Sequence, residues 1–125
     1  MANDHQTIRN LFNDWNQALA SGDPEQVAAL YADDAVLLPT VSNRVRTDRA
    51  GIRDYFIDFL QLQPQGEIQE SHVRVHGDLA LHSGVYLFTM GADNSQVWAR
   101  FTFVYRSRQD QWEIIEQHSS AMPEG

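Results

Sequence analysis

The hydrophobic period changes near residue 65, and no other feature of the sequence constrains the fold as much. From Ile8 onward the apolar positions Ile8, Leu11, Phe12, Trp15, Ala18 and Leu19 step by three and four, which puts them on one face of an amphipathic helix. Gly22 follows as a C-terminal glycine, and Asp23-Pro24 supply the N-cap and first turn of a second, shorter helix through Val27, Leu30 and Tyr31. A third helix is predicted on Ile52, Tyr55, Phe56, Phe59 and Leu60, capped by Thr47 and Asp48 and closed by Pro64 and Gly66. Between the second and third helices the short apolar run 35–39 ends in Pro39, as a brief strand would, with 43–46 as its expected hairpin partner. Beyond residue 66 the pattern is strand-like. Segments 67–76, 79–90, 96–106 and 111–120 carry β-branched and aromatic residues and are separated by Gly, Asp, Asn and Ser turns. Helices first and consecutive strands afterwards describe an α+β fold, with the helices on one face of an antiparallel sheet.

Two of those strands are apolar on both faces. In 85–90 and 97–105 both alternating sets contain large apolar side chains, so a helix layer on one side leaves the other side uncovered. A second copy of the chain is the expected cover, which predicts a homodimer through the sheet; a sheet curved enough to cover its own ends is the alternative.

Composition narrows the partners. The 125 residues, 42% of them hydrophobic, suit one compact domain over 1–125. A net charge of −8 repels nucleic acid and anionic lipid surfaces. There is no cysteine, hence no disulfide, thiolate metal site or thiol nucleophile. No apolar run is long enough for a membrane span, and the first ten residues lack a signal-peptide pattern, so a cytoplasmic location is expected. All nine basic residues are arginine, which removes lysine Schiff-base chemistry.

The order helix, helix, short strand, helix, four-stranded meander resembles the cone-shaped nuclear transport factor 2-like (cystatin-like, SnoaL-like) fold. Within it the chain is similar to the association, or hub, domain of calcium/calmodulin-dependent protein kinase II and its free-standing bacterial relatives of the SgcJ/EcaC type. The segments that carry the likeness are 12–15 through 21–23, 35–40, 52–56, 83–86, Arg100-Phe-Thr-Phe-Val-Tyr105, and 112–115 through His118-Ser-Ser to Pro123. The resemblance implies a self-associating module with a polar-lined pocket at the mouth of the cone. The animal hub domains carry arginines where Phe103 and Ser119 stand here, so their pocket does not transfer; no kinase signature is present.

Arg100, in mid-strand among Trp98, Phe101, Thr102 and Phe103, needs an acid, an anionic ligand or water for its permanent charge. Either a ligand carboxylate or an ion pair with Glu113 or Glu116 would satisfy it. The other eight arginines fall where solvation suffices. Simple alternation from Trp112 puts Glu116, His118 and Ser120 on one face, with neighbours about 7 Å apart, so His118 is a candidate proton carrier or a histidine satisfied by the adjacent serine hydroxyls. Asp14 is the kind of residue that serves as a general base in catalytic members of the superfamily, although its helical position lies beside the apolar stripe; Asp33 and Asp34 are further carboxylates. Trp15, Tyr31, Tyr55, Phe56, Phe59 and Tyr86 should meet inside the cone, with Trp15, Tyr55 and Tyr86 as polar-tipped pocket lining. Thr40 and Ser42 belong to a loop at the pocket rim. His72 and His76 would stand about 13 Å apart in a strand, too far to share an ion, and with His82 they are expected at half-exposed strand positions. Neither a metal nor a cofactor is expected. The ligand-binding set is therefore Arg100, His118, Trp15, Tyr55, Tyr86 and Ser120, in a protein that binds a small anionic or polar molecule; acid–base catalysis of the SnoaL or ketosteroid-isomerase kind, through His118 or Asp14, is the alternative.

Overall fold

The computed structural model describes residues 4–124. Helix α1 (Asp4–Ser21) buries Ile8, Phe12, Trp15, Ala18 and Leu19, the stripe that the spacing predicts. Gly22 follows at φ 71°, where a residue without a Cβ is least strained. The Asp23 carboxylate then accepts from the Glu25 N–H at 2.9 Å and opens α2 (Pro24–Ala28). Helix α3 (Arg49–Phe59) starts in the same way, with Asp48 accepting from the Gly51 N–H at 2.7 Å.

Five strands follow the helical segments or lie between them: β1 (Tyr31–Leu38), β2 (Pro64–His76), β3 (Leu79–Met90), β4 (Ser95–Arg108) and β5 (Gln111–Ala121). They form one curved sheet in the order β1-β5-β4-β3-β2, and helices α1 and α3 contribute to the core on its inner face. The α+β cone expected from the sequence is what forms. Three details differ. The sheet is mixed, because β1 runs parallel to β5 while β2 to β5 are antiparallel. Tyr31 belongs to β1 and not to α2, since its ring is wholly buried and its phenol finds partners inside. The expected hairpin partner of β1 is reduced to a single bridge between Leu37 and Arg46.

Pro64 and Gly66, read as helix closers, stand inside β2. At Gly66 α1 approaches the sheet closely: Asn16 donates to its carbonyl and accepts from its N–H, both at 2.9 Å, and an added Cβ would lie 3.2 Å from the Phe12 and Phe88 rings. The sheet bends at a bulge in β2 between Ile68 and Glu70, opposite Tyr86 and Val85 and one pair before Gly84. A Cβ at Gly84 would fall 1.9 Å from the Glu70 carbonyl oxygen, so the strands close to this spacing only around a glycine.

His82 corrects a further expectation. It is 1% exposed, not half-exposed, because β3 turns it inward, edge-on to Phe101 with ring centroids 5.1 Å apart. Its Nε2 is 2.7 Å from Ser71 Oγ, and the same oxygen accepts from Arg9 Nε at 3.2 Å. The hydroxyl proton is thereby free to go to His82 Nε2, leaving Nδ1 buried without a partner among the described residues. Burial, reinforced by the Arg9 charge, pushes the imidazole down to about 4. His72 and His76 are exposed, with His72 2.6 Å from Glu70.

No helix among the described residues is long and apolar enough to cross a membrane.

Two outcomes test this architecture. Gly84→Ala should lower stability to urea by about 3 kcal/mol through overpacking at the bulge, and an unchanged midpoint would contradict the close approach. Because His82 takes up protons more readily when unfolded, the fold should lose about 3 kcal/mol from this group as pH falls from 6.5 to about 4, with nothing lost above 6.5. His82→Gln should flatten that part of the stability profile.

Candidate functional site

Strand alternation separates two sets of residues that a one-dimensional reading groups together. On β4, Ala99, Phe101, Phe103 and Tyr105 are buried, while Arg100 is exposed on the other face and Trp98 is 48% exposed there. Arg100 therefore does not lie deep in an apolar environment: the strand is apolar on both sides, and Arg100 shares its side with Trp98, Thr102 and Val104. It pairs in register with Ser120, and Thr102 pairs with His118. Arg100, Thr102, His118 and Ser120 border a shallow depression on the outer face, away from the helices. Among the described residues neither Glu113 nor Glu116 pairs with Arg100. Glu113 lies 3.4 Å from Arg106 instead.

The phase of β5 is reset by a bulge. Ile114 pairs with Tyr105 and Glu116 with Val104, so Ile115 is the extra residue. Ile114 points inward, as do Gln117 and Ser119, whereas Glu116 and His118 are exposed. The uninterrupted alternation expected from Trp112 to Ser120 fails at this point. The signal for it was the doublet Ile114-Ile115, two apolar residues that cannot both be on one face.

Inside the cone, α1, α3, β1, β3, β4 and β5 surround a cavity that includes the predicted residues Trp15, Tyr55 and Tyr86 and the unpredicted Gln117 and Ser119. Its polar groups form two short chains. Trp15 Nε1 donates to Tyr31 Oη at 3.1 Å, and Tyr31 Oη donates to Gln117 Oε1. Tyr86 Oη and Ser119 Oγ are 2.5 Å apart, and Thr40 Oγ1 donates to the same Ser119 oxygen. Thr40 thus lines the cavity, as a rim residue should, while Ser42 does not. The indole of Trp15 stacks on Tyr86 with ring centroids 6.4 Å apart and planes within 4° of parallel.

Burial raises the Tyr86 phenol to about 12, hydrogen bonds to Ser119 and Gln117 holding it from rising further. Burial also raises the Tyr31 and Tyr55 phenols. All three remain protonated donors across the physiological range. The nearest cation noted against the wall is Arg46, whose guanidinium carbon is 5.7 Å from the Tyr55 ring centroid. Its side chain is 11% exposed, so solvation does not account for it as it does for the looser arginines; Nη1 donates to Gly51 O at 2.9 Å and to Asp54 at 3.2 Å.

Asp14, Asp33 and Asp34 are exposed and outside the cavity. His118 is on the opposite side of the sheet. Among the described residues no cluster of three or more His, Asp or Glu side chains could hold a metal ion.

No curated protein matches the chain. Among solved structures, a Xanthomonas campestris protein named for the calcium/calmodulin dependent protein kinase II association domain is 50% identical, with a TM-score of 0.92 over 95% of this chain and 88% of that one. A nuclear transport factor 2-like protein of unknown function from Pseudomonas putida is 25% identical, with a TM-score of 0.85 over 98% of this chain and 89% of that one. A cystatin-like protein of unknown function from Nostoc punctiforme, 17% identical with a TM-score of 0.83 over 98% and 94% of the two chains, shares the fold. The family model for the calcium/calmodulin dependent protein kinase II association domain matches residues 4–123. The chain belongs to that association-domain family.

Proposed function

We propose that this protein is a self-associating module over 1–125 whose copies join through the outer face of the sheet and whose inner cavity holds a small molecule. The observation that carries the first half is a row of only partly buried apolar side chains on the outer face of the sheet. Leu87 pairs with Trp98, Leu81 with Val104, and Val85 with Arg100, all on the outer face of two adjacent strands. Trp98 is 48% exposed, and an indole left open to water on a sheet face is a typical anchor of a protein–protein contact. A family named for association supports a second copy as the partner.

In this reading the outer depression changes its role. Arg100, His118 and Ser120 would border the contact between copies, and an acid for Arg100, which has none among the described residues, would come from the neighbour. Trp15, Tyr55 and Tyr86 would line the ligand cavity on the other side. Acid–base catalysis would draw on His118 or Asp14, and neither side chain borders that cavity. The binding reading is accordingly the one carried forward.

Sedimentation velocity tests it. The wild type should run as a dimer or larger at micromolar concentration, and Trp98→Asp, which buries a charge in the contact, should weaken association at least about tenfold. Its far-ultraviolet circular dichroism should not change, because Trp98 is outside the core. A monomeric wild type would contradict the proposal, as would a Trp98→Asp variant that associates unchanged.

A further inference from the structure

We propose that the inner cavity selects an uncharged, planar aromatic molecule bearing one hydroxyl or carbonyl group, which takes the place of the Thr40 hydroxyl on the Ser119–Tyr86 pair. This rests on reading the cavity as a ligand site and adds the class of ligand.

The walls argue for the ring. Trp15, Tyr55, Phe56, Phe59, Tyr86 and Phe88 all border the space, and they already pack against one another edge-on or stacked, as between Tyr55 and Phe59 at 5.6 Å and between Trp15 and Phe88 at 6.0 Å. Another ring entering there meets the same geometry.

Charge argues for a neutral ligand. The cavity is bordered by apolar side chains together with Trp, Tyr, Thr, Ser and Gln, and none of these is ionised near neutral pH. Arg46 does not border the space: its Nη1 donates to Gly51 O and to Asp54, and its guanidinium carbon lies 5.7 Å from the Tyr55 ring centroid. A carboxylate brought into this space would lose its water and gain no cation. Arg100, the one residue expected to receive such a group, lies on the other face of the sheet.

Polar geometry argues for the anchoring atom. Ser119 and Tyr86 are buried on strands, whereas Thr40 belongs to a half-buried loop followed by Val41 at 59% exposure. Among the described residues one backbone bridge, Leu37 to Arg46, ties that loop back. Of the three linked hydroxyls, Thr40 is therefore the replaceable one. Volume agrees: the space open to a water-sized molecule is about 30 Å³ within about 450 Å³ of unfilled space that reaches the mouth. An aromatic ring needs more than the smaller volume, so the wall must open to admit one, and Thr40 and Val41 are on the loop part of that wall.

Two matched pairs of probes test the ligand class by nuclear magnetic resonance titration, read on the Trp15 indole N–H. Toluene against p-cresol isolates the hydrogen bond, and 4-methylbenzoate against 4-methylbenzamide isolates the charge in nearly the same shape. The expected result is that p-cresol binds about fivefold more tightly than toluene, and the amide at least about tenfold more tightly than the carboxylate. Ser119→Ala, or Tyr86→Phe if the first variant does not fold, should bring p-cresol to the affinity of toluene without changing toluene. Thr40→Val should tighten p-cresol by freeing the Ser119 hydroxyl. Carboxylate binding equal to or tighter than the amide, with the Trp15 signal moving, would overturn the ligand class and leave the cavity as a ligand site. If none of the four probes moves that signal, both readings fall together.

Discussion

One buried carboxamide organises the interior. Gln117 accepts from Tyr31, which in turn accepts from Trp15, so a single chain of hydrogen bonds joins α1, β1 and β5 across the core. These groups are each no more than 3% exposed, and removing one partner would strand the others in an apolar setting at a cost of about 1–3 kcal/mol. Gln117 reaches this position because β5 carries one extra residue at Ile115. Without the bulge the strand would turn His118 inward and Ser119 outward, and the cavity would hold an imidazole in place of a hydroxyl.

The same bulge gives the sheet two distinct faces. Inward, Ser119 meets Tyr86 and Thr40 in a neutral, aromatic space. Outward, its neighbours His118 and Ser120 stand beside Arg100 and Trp98 on a face with no helix over it. Adjacent residues of one strand thus serve two chemically opposite environments. A ligand that displaced Thr40 would act on the strand from within, and a partner copy would act on it from outside.

Much of the architecture was legible because the relevant signals are local. The α1 stripe from Ile8 to Leu19, the caps at Asp23 and Asp48, and the turns between the last four strands each depend on a few neighbouring residues. What was not legible depends on distant partners. Tyr31 reads as the end of a helix until its phenol is seen paired with Trp15 and Gln117. Gly66 reads as a helix stop until Phe12 and Phe88 are seen against it. Arg100 reads as buried because residues on both sides of it in the sequence are apolar, yet alternation sends it outward with Trp98. Trp15, Tyr55 and Tyr86 were found because rings on helix and strand faces must meet in a cone, while Gln117 and Ser119 were hidden by a bulge whose only trace is the Ile114-Ile115 doublet.

The central claim is that copies meet through the outer face of the sheet. The absence of cysteine allows a direct measurement. His76→Cys places a single thiol at the exposed turn end of β2, and a spin label there should give a defined intermolecular distance by pulsed electron paramagnetic resonance, lost when Trp98→Asp is added. No dipolar signal from the labelled wild-type background, or one that survives Trp98→Asp, would contradict the account.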